Sequence, residues 1–213
     1  MKRILSILFV TSFFATTTVS AQVMGGMVPF VQAGFKLGGN FQTLSKAPVK
    51  TGPGIIAGMY VRKNIERFGL RIEVLGGFNT YTTKFPASYY SLPSPGQDTL
   101  SKGEFQAISL YAPVMVEYFL TEKLQVVAGG QYAYNISMND NNNAFTKIYG
   151  EDKFLKKTEI AIIAGVEYFY NKHVMMGARL TKGITDINNS TYYLVPTTWT
   201  STGIQVSVSY KIL

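Results

Sequence analysis

The sequence has no cysteine, one histidine, one tryptophan and little charge, with Asp, Glu, Lys and Arg making up 15% of its 213 residues. Without cysteine there is no disulfide scaffold, no thiolate metal site and no lipid anchor on an N-terminal thiol. The lone His173 has no second imidazole near it, so it is a poor start for a metal centre. Low charge together with 14% aromatic residues excludes a disordered chain. Long apolar runs are also missing. Outside the N-terminus none reaches the roughly 18 residues that a membrane helix needs. Helical apolar periodicity is absent, and so are GxSxG, HExxH and phosphate-loop motifs. The glycines of GFKLGG at 34–39 precede no helical pattern. The Asn-rich stretch 139–143 offers a single carboxylate, Asp140, too few for calcium. We therefore expect no enzymatic activity, no cofactor and no metal.

What is present is 46% hydrophobic residues, 20 Gly, 14 Tyr and 14 Phe, with a net charge of +8. Residues 1–21 read as a secretory signal peptide. Lys2 and Arg3 form a positive start, residues 4–15 are apolar, and Val19-Ser20-Ala21 is a small-residue cleavage site. Its removal takes away two cations and lowers the net charge from +8 to +6. Residues 22–213 are then one domain.

That domain shows period-two alternation, the mark of strands with one apolar and one polar face. Eight candidate strands centre on residues 31–37, 55–62, 67–74, 108–118, 124–135, 159–168, 174–181 and 204–212. Each approaches the 9–11 residues of a tilted membrane strand. Ile56, Leu75, Val127 and Ile163 break the pattern by placing apolar groups on the polar face. Connections near 64–66, 121–123 and 171–172 are tight. Those near 39–53, 79–103, 138–156 and 187–202 are long. Short and long alternate, so all short turns share one rim and all long loops the other. The pattern predicts an all-β, eight-stranded antiparallel up-and-down transmembrane β-barrel with short periplasmic turns and long external loops.

The apolar faces carry almost no charge and end in aromatics: Phe68, Tyr118, Tyr168, Tyr170 and Tyr210 towards the short turns, Phe78, Tyr132 and Tyr134 towards the long loops. Two aromatic belts flanking an apolar band fit the two lipid–water interfaces. The polar faces carry Lys36, Arg62, Arg71, Glu73, Glu117, Glu159, Glu167, Arg179 and Lys211. An eight-strand lumen is just wide enough for side chains to fill it, and a buried unpaired charge is costly. These nine residues are expected to form an internal ion-pair network, with glycines on the same face making room for them. The alternative is a soluble barrel with the charges in water, but a soluble surface normally carries more charge.

Several segments resemble the outer-membrane β-barrel family common in Bacteroidetes-type bacteria, a PorT-like or OmpX-like small barrel. They are GFKLGGNF at 34–41, YAPVMVEYFL at 111–120, TEKLQVVAGGQYAYNIS at 121–137, IIAGVEYFYNKHVMMGARLTKGITDIN at 162–188 and IQVSVSYKIL at 204–213. The resemblance implies a porin-like fold and a place in the outer membrane of a Gram-negative cell envelope. In that family an acidic residue often lies two before the fourth-strand proline and a basic one four after it. Here Tyr111 and Glu117 flank Pro113 instead. Leu213 stands where outer-membrane barrels commonly end in Phe.

The reading that follows is a monomer with a structural or surface-interaction role: envelope integrity, adhesion or contact with a protein partner through the external loops. Tyr81, Tyr89, Tyr90, Tyr149, Tyr192, Tyr193 and Trp199 lie in or near those loops and suit a contact surface. Lys153, Lys156 and Lys157, with other loop lysines, suit outer-membrane lipids and the anionic sugar-phosphate lipid of the outer leaflet, lipopolysaccharide. A basic chain also invites a nucleic-acid reading, but export and the placing of these cations argue for no nucleic-acid partner. The alternatives are a narrow pore for small solutes, or a component of a secretion system.

Overall fold

The computed structural model describes residues 31–45, 47, 49–83, 103–140, 155–189 and 198–212. The signal-peptide reading of residues 1–21 therefore lies outside the described residues, as do Lys153, Tyr89, Tyr90, Tyr149, Tyr192 and Tyr193. Eight long strands follow one another: β1 Val31–Ser45, β2 Gly52–Ile65, β3 Phe68–Thr83, β4 Gly103–Phe119, β5 Leu124–Asp140, β6 Thr158–Phe169, β7 Val174–Gly183 and β8 Thr200–Lys211. A two-residue segment, Val49–Lys50, adds to the outer end of β3 through Thr82 and Thr83.

Each strand pairs antiparallel with its chain neighbours, and β1 pairs with β8 from Gly34↔Lys211 to Ser45↔Thr200. The sheet thus closes into an up-and-down barrel with no free edge along the closed ladders. Closure satisfies the backbone donors and acceptors inside the wall, which is the condition for a sheet to sit in lipid.

The three short connections, 66–67, 120–123 and 170–173, share one rim, as their spacing predicts. Thr121 and Asn171 each close their turn by accepting two backbone N–H bonds, from residues 123 and 124 and from residues 173 and 174. In the tightest turn Glu66 takes φ 52°, the left-handed region. A β-branched residue is strained there by about 1–2 kcal/mol, whereas Gly is not. Glu66→Val is expected to lower the urea midpoint of unfolding, and Glu66→Gly to leave it close to the parent value.

Several strands are longer than the alternation predicts, and β3, β4 and β5 reach 16, 17 and 17 residues. Beyond the outer aromatic belt both faces meet polar surroundings, so alternation fades while the backbone ladder goes on. The periodicity therefore marks the membrane band and misses the extension. β6 and β7, with 12 and 10 residues, stop short of it. The wall is tall on one side and low on the other.

Burial alternates with the pleat, but with the sense opposite to a soluble protein. The side chains of Phe35, Leu37, Ile72, Val114, Ile162, Val206 and Val208 are each about half exposed on the outside, whereas Arg71, Glu73, Glu117 and Glu167 are buried inside. An apolar band of this extent needs a hydrocarbon surround, because soluble monomers rarely expose contiguous apolar patches beyond a few hundred Å². Lys182 points out at the outer edge of the band, and its ammonium turns along the wall to donate to the Thr202 hydroxyl at 2.8 Å. That is snorkelling.

Candidate functional site

The chemistry-bearing residues lie in the lumen and on the outer rim. The lumen is layered because inward positions at one height on successive strands meet at the axis. Nearest the turn rim, Arg62 from β2 stacks over the Phe169 ring at 4.9 Å, donates to Gln32 Oε1 at 2.7 Å and lies 3.7 Å from Glu117. Above it Arg71 from β3 is the hub. Its guanidinium bonds Glu117 of β4 and Glu167 of β6, and its Nη1 lies 3.4 Å from Glu73.

Arg179 of β7 forks onto Glu73, with Nη1–Oε2 at 2.8 Å and Nη2–Oε1 at 2.7 Å, and reaches Glu167 Oε1 at 2.6 Å. Lys36 of β1 completes the group at 2.8 Å from Glu73. Gln125 of β5 donates to Glu167 at 2.6 Å. Seven of the nine expected residues are thus brought together, from six strands on all sides of the barrel. Glycines sit where these side chains lie against the wall. A Cβ on Gly69 would come within 2.6 Å of Glu117 Oε2, and one on Gly177 within 2.8 Å of Glu167 Cγ.

Glu159 and Lys211 are not in the cluster. Glu159 pairs with Ala133 near the outer end of β6, above the apolar layer described next. It is buried, and among the described residues its Oε1 has no hydrogen-bond partner. Lys211 ends β8 at the turn rim and is half-buried, with no ion pair among the described residues. Inward parity is common to all nine residues, but height along the barrel axis separates these two from the rest, and alternation carries no information about height across strands. The Tyr111 and Glu117 departure from the family pattern is resolved by other strands. Arg71 supplies the charge for Glu117, while Tyr111 accepts a hydrogen bond from Asn79 Nδ2 at 2.7 Å.

Above the ionic cluster Ile56, Leu75, Tyr111 and Ala133, one from each of the consecutive strands β2 to β5, pack together as a buried apolar layer on that side of the lumen. Sequence reasoning gave this layer no role, yet its signal was visible, since Ile56 and Leu75 are two of the residues that break alternation. Higher still, Asn40 donates to Asn79 at 2.7 Å, Tyr81 donates to Gln42 at 3.0 Å, and the Tyr81 ring stacks on Phe105 with centroids 4.5 Å apart. Tyr81 and Trp199 are buried, not displayed on the loop surface. Both positions continue the inward parity of their strands beyond the membrane band, so they fill the barrel mouth.

On the outer rim Lys156 and Lys157 are exposed. Lys156 lies 2.9 Å from Asp186. Asp186 also accepts backbone N–H bonds from Trp199 at 2.9 Å and Asn188 at 3.0 Å. Burial opposes its ionisation, but these two amides and the Lys156 ammonium outweigh it and hold the carboxyl below its usual range. Among the described residues no group of three or more His, Cys, Asp or Glu is placed to hold a metal ion.

Residues 21–189 match the family model described as "Outer membrane protein beta-barrel domain". Among solved structures, Neisserial surface protein A is 14% identical, with a TM-score of 0.50, over 85% of this chain and 97% of that one. The attachment invasion locus protein Ail of Yersinia pestis, in complex with the heparin analogue sucrose octasulfate, is 12% identical over 85% and 99%, with a TM-score of 0.44. At such identities the likeness concerns the fold. The comparison with curated proteins gives no match.

Proposed function

The chain belongs to the family of the outer membrane protein beta-barrel domain, and from that premise we propose that it is a sealed barrel whose work is structural and is done by contact at its outer rim. The observation that carries this reading is the filled lumen. An ionic cluster tied across six strands lies beneath an apolar layer of Ile56, Leu75, Tyr111 and Ala133. A solute would have to displace these side chains, and ions passing the apolar layer would lose part of their hydration.

The rim offers long connections, exposed lysines and wall extensions of unequal height, which suit contact with lipid or with a protein partner. Lipopolysaccharide and other outer-membrane lipids are the partners that its charge favours. A closed barrel of this size needs no second copy to satisfy its edges, and we infer a monomer. The strand segments quoted above support, in our reading, a kinship with the PorT-like barrels. If it serves a secretion system, purification from native membranes should bring that machinery down with it.

Planar-bilayer recording tests the main reading. The parent barrel is expected to give no steady current, whereas Ile56→Ala combined with Leu75→Ala, which thins the apolar layer, is expected to leak. Steady solute-sized currents through the parent would favour a narrow pore instead.

A further inference from the structure

The wall carries a built defect on the outer rim. In the β4–β5 ladder Ile108 pairs with Ser137 and the next residue, Ser109, pairs with Asn135, so Ile136 is a bulged residue. The bulge leaves both Ile136 and Ser137 exposed. Bulges bend a strand and re-aim its side chains, and they concentrate at barrel rims and beside sites. The β5–β6 ladder ends at this height. Its last pair is Tyr134↔Thr158, and Asn135 N–H then donates to the Lys157 carbonyl at 2.7 Å. Past that point β5 continues to Asp140 without β6 beside it.

The far side of the gap is held firmly. Leu155 bridges to Asn188, Lys156 N–H donates to the Ile187 carbonyl at 2.8 Å, and Asn135 Nδ2 donates to the Lys156 carbonyl at 3.2 Å. Asp186 fixes the Lys156 side chain. The gap is a cleft of about 530 Å³, lined by Asn135, Ile136, Ser137, Met138, Leu155, Lys156, Lys157 and Asn189.

Three chemistries meet there. Ile136, Met138 and Leu155 give an apolar floor. Ser137 and Asn189 give hydroxyl and amide groups of the kind that bind sugars. Lys157 gives an exposed ammonium with no ion pair among the described residues, next to Lys156, whose charge Asp186 partly offsets. The cleft opens just beyond Tyr132 and Tyr134, which mark the outer lipid–water interface. We propose that this bulge cleft binds the headgroup of a phosphorylated, acylated glycolipid of the outer leaflet. Lys157 and Lys156 hold the phosphate, Ser137 and Asn189 face the sugar, and an acyl chain runs down over Ile136. The inference rests on the surface-contact reading and gives it a ligand class and a place.

The test is native mass spectrometry of the protein refolded in detergent, titrated with bisphosphorylated lipid A, dephosphorylated lipid A, phosphatidylglycerol and inorganic phosphate. Heat-modifiable mobility confirms that each variant is folded. Lipid A is expected to bind the parent, with Lys157→Gln weakening it about tenfold. Ser137→Trp, which fills the cleft without touching charge, should weaken it similarly. Lys50→Gln, a cation of the same rim beside β3, should change nothing. Equal binding of phosphatidylglycerol would overturn the glycolipid assignment, and equal binding of inorganic phosphate would make the site one for free anions. Unchanged binding in Ser137→Trp, or an equal loss in Lys50→Gln, would remove the cleft as the site. Neither result bears on conductance, so failure of the site and failure of the sealed-barrel reading remain separate.

Discussion

Arg71→Ala is expected to be the most damaging single change in the lumen, costing about 3–5 kcal/mol, the range for breaking a buried ion pair by removing one partner. Arg71 is fully buried and touches Glu73, Glu117 and Glu167. Without it Glu117 keeps, among the described residues, only Arg62, at 3.7 Å, as a cation within ion-pair reach. The truncated side chain also leaves a void in a lumen closed on all sides. The damage comes from stranded carboxylates more than from lost attraction, so joint replacement should behave differently. Arg71→Met combined with Glu117→Met is expected to recover part of the loss, since buried pairs replaced by apolar groups of similar volume are often near neutral. Arg71→Lys should recover less than its charge suggests, because an ammonium cannot fork onto several carboxylates at once. Urea unfolding in lipid vesicles measures all three. A single variant as stable as the parent would mean that the cluster does not clamp the wall.

Val114→Arg is expected to cost about 2–4 kcal/mol, although the side chain is 49% exposed. Val114 lies midway between Tyr118, near the turn rim, and Ile108, level with Phe78 of the outer belt. Its neighbours Ile72 and Gly130 face the same surround. In water an exposed Val→Arg change would be close to neutral, whereas in hydrocarbon the guanidinium must be desolvated or must thin the bilayer. Tyr118→Arg, at the interface, is expected to cost only about 0–1 kcal/mol, because the charge can reach headgroups. The difference between the two depths, read from urea midpoints in the same vesicles, is the signature of the membrane. Equal costs would contradict the apolar band.

Much of this was legible in the chain. The alternation of residues such as Ile108, Leu110 and Val114 with Ser109, Tyr111 and Met115 fixed parity, and parity fixed which side chains point inward. The spacing of turns fixed the rims. Glu159 and Lys211 show the limit, since both have the parity of the cluster and neither joins it. Tyr81 and Trp199 show another limit. They look like loop residues because alternation fades near them, but the ladder continues and turns both inward.

The sequence by itself determined the strand count, the closed antiparallel order, the inside-out polarity and the two aromatic belts, because each depends on residues near one another in the chain or on a period of two. Register between strands decided the rest. Only the closed barrel brings Arg71 against Glu167 and Arg179 against Glu73, pairs separated by 96 and 106 residues. Only the barrel stacks an apolar cluster over an ionic one and opens a cleft where a bulge in β5 rises past the outer end of β6. Height along the barrel axis is set by the stagger of hydrogen-bonded neighbours, a long-range quantity that no local pattern records.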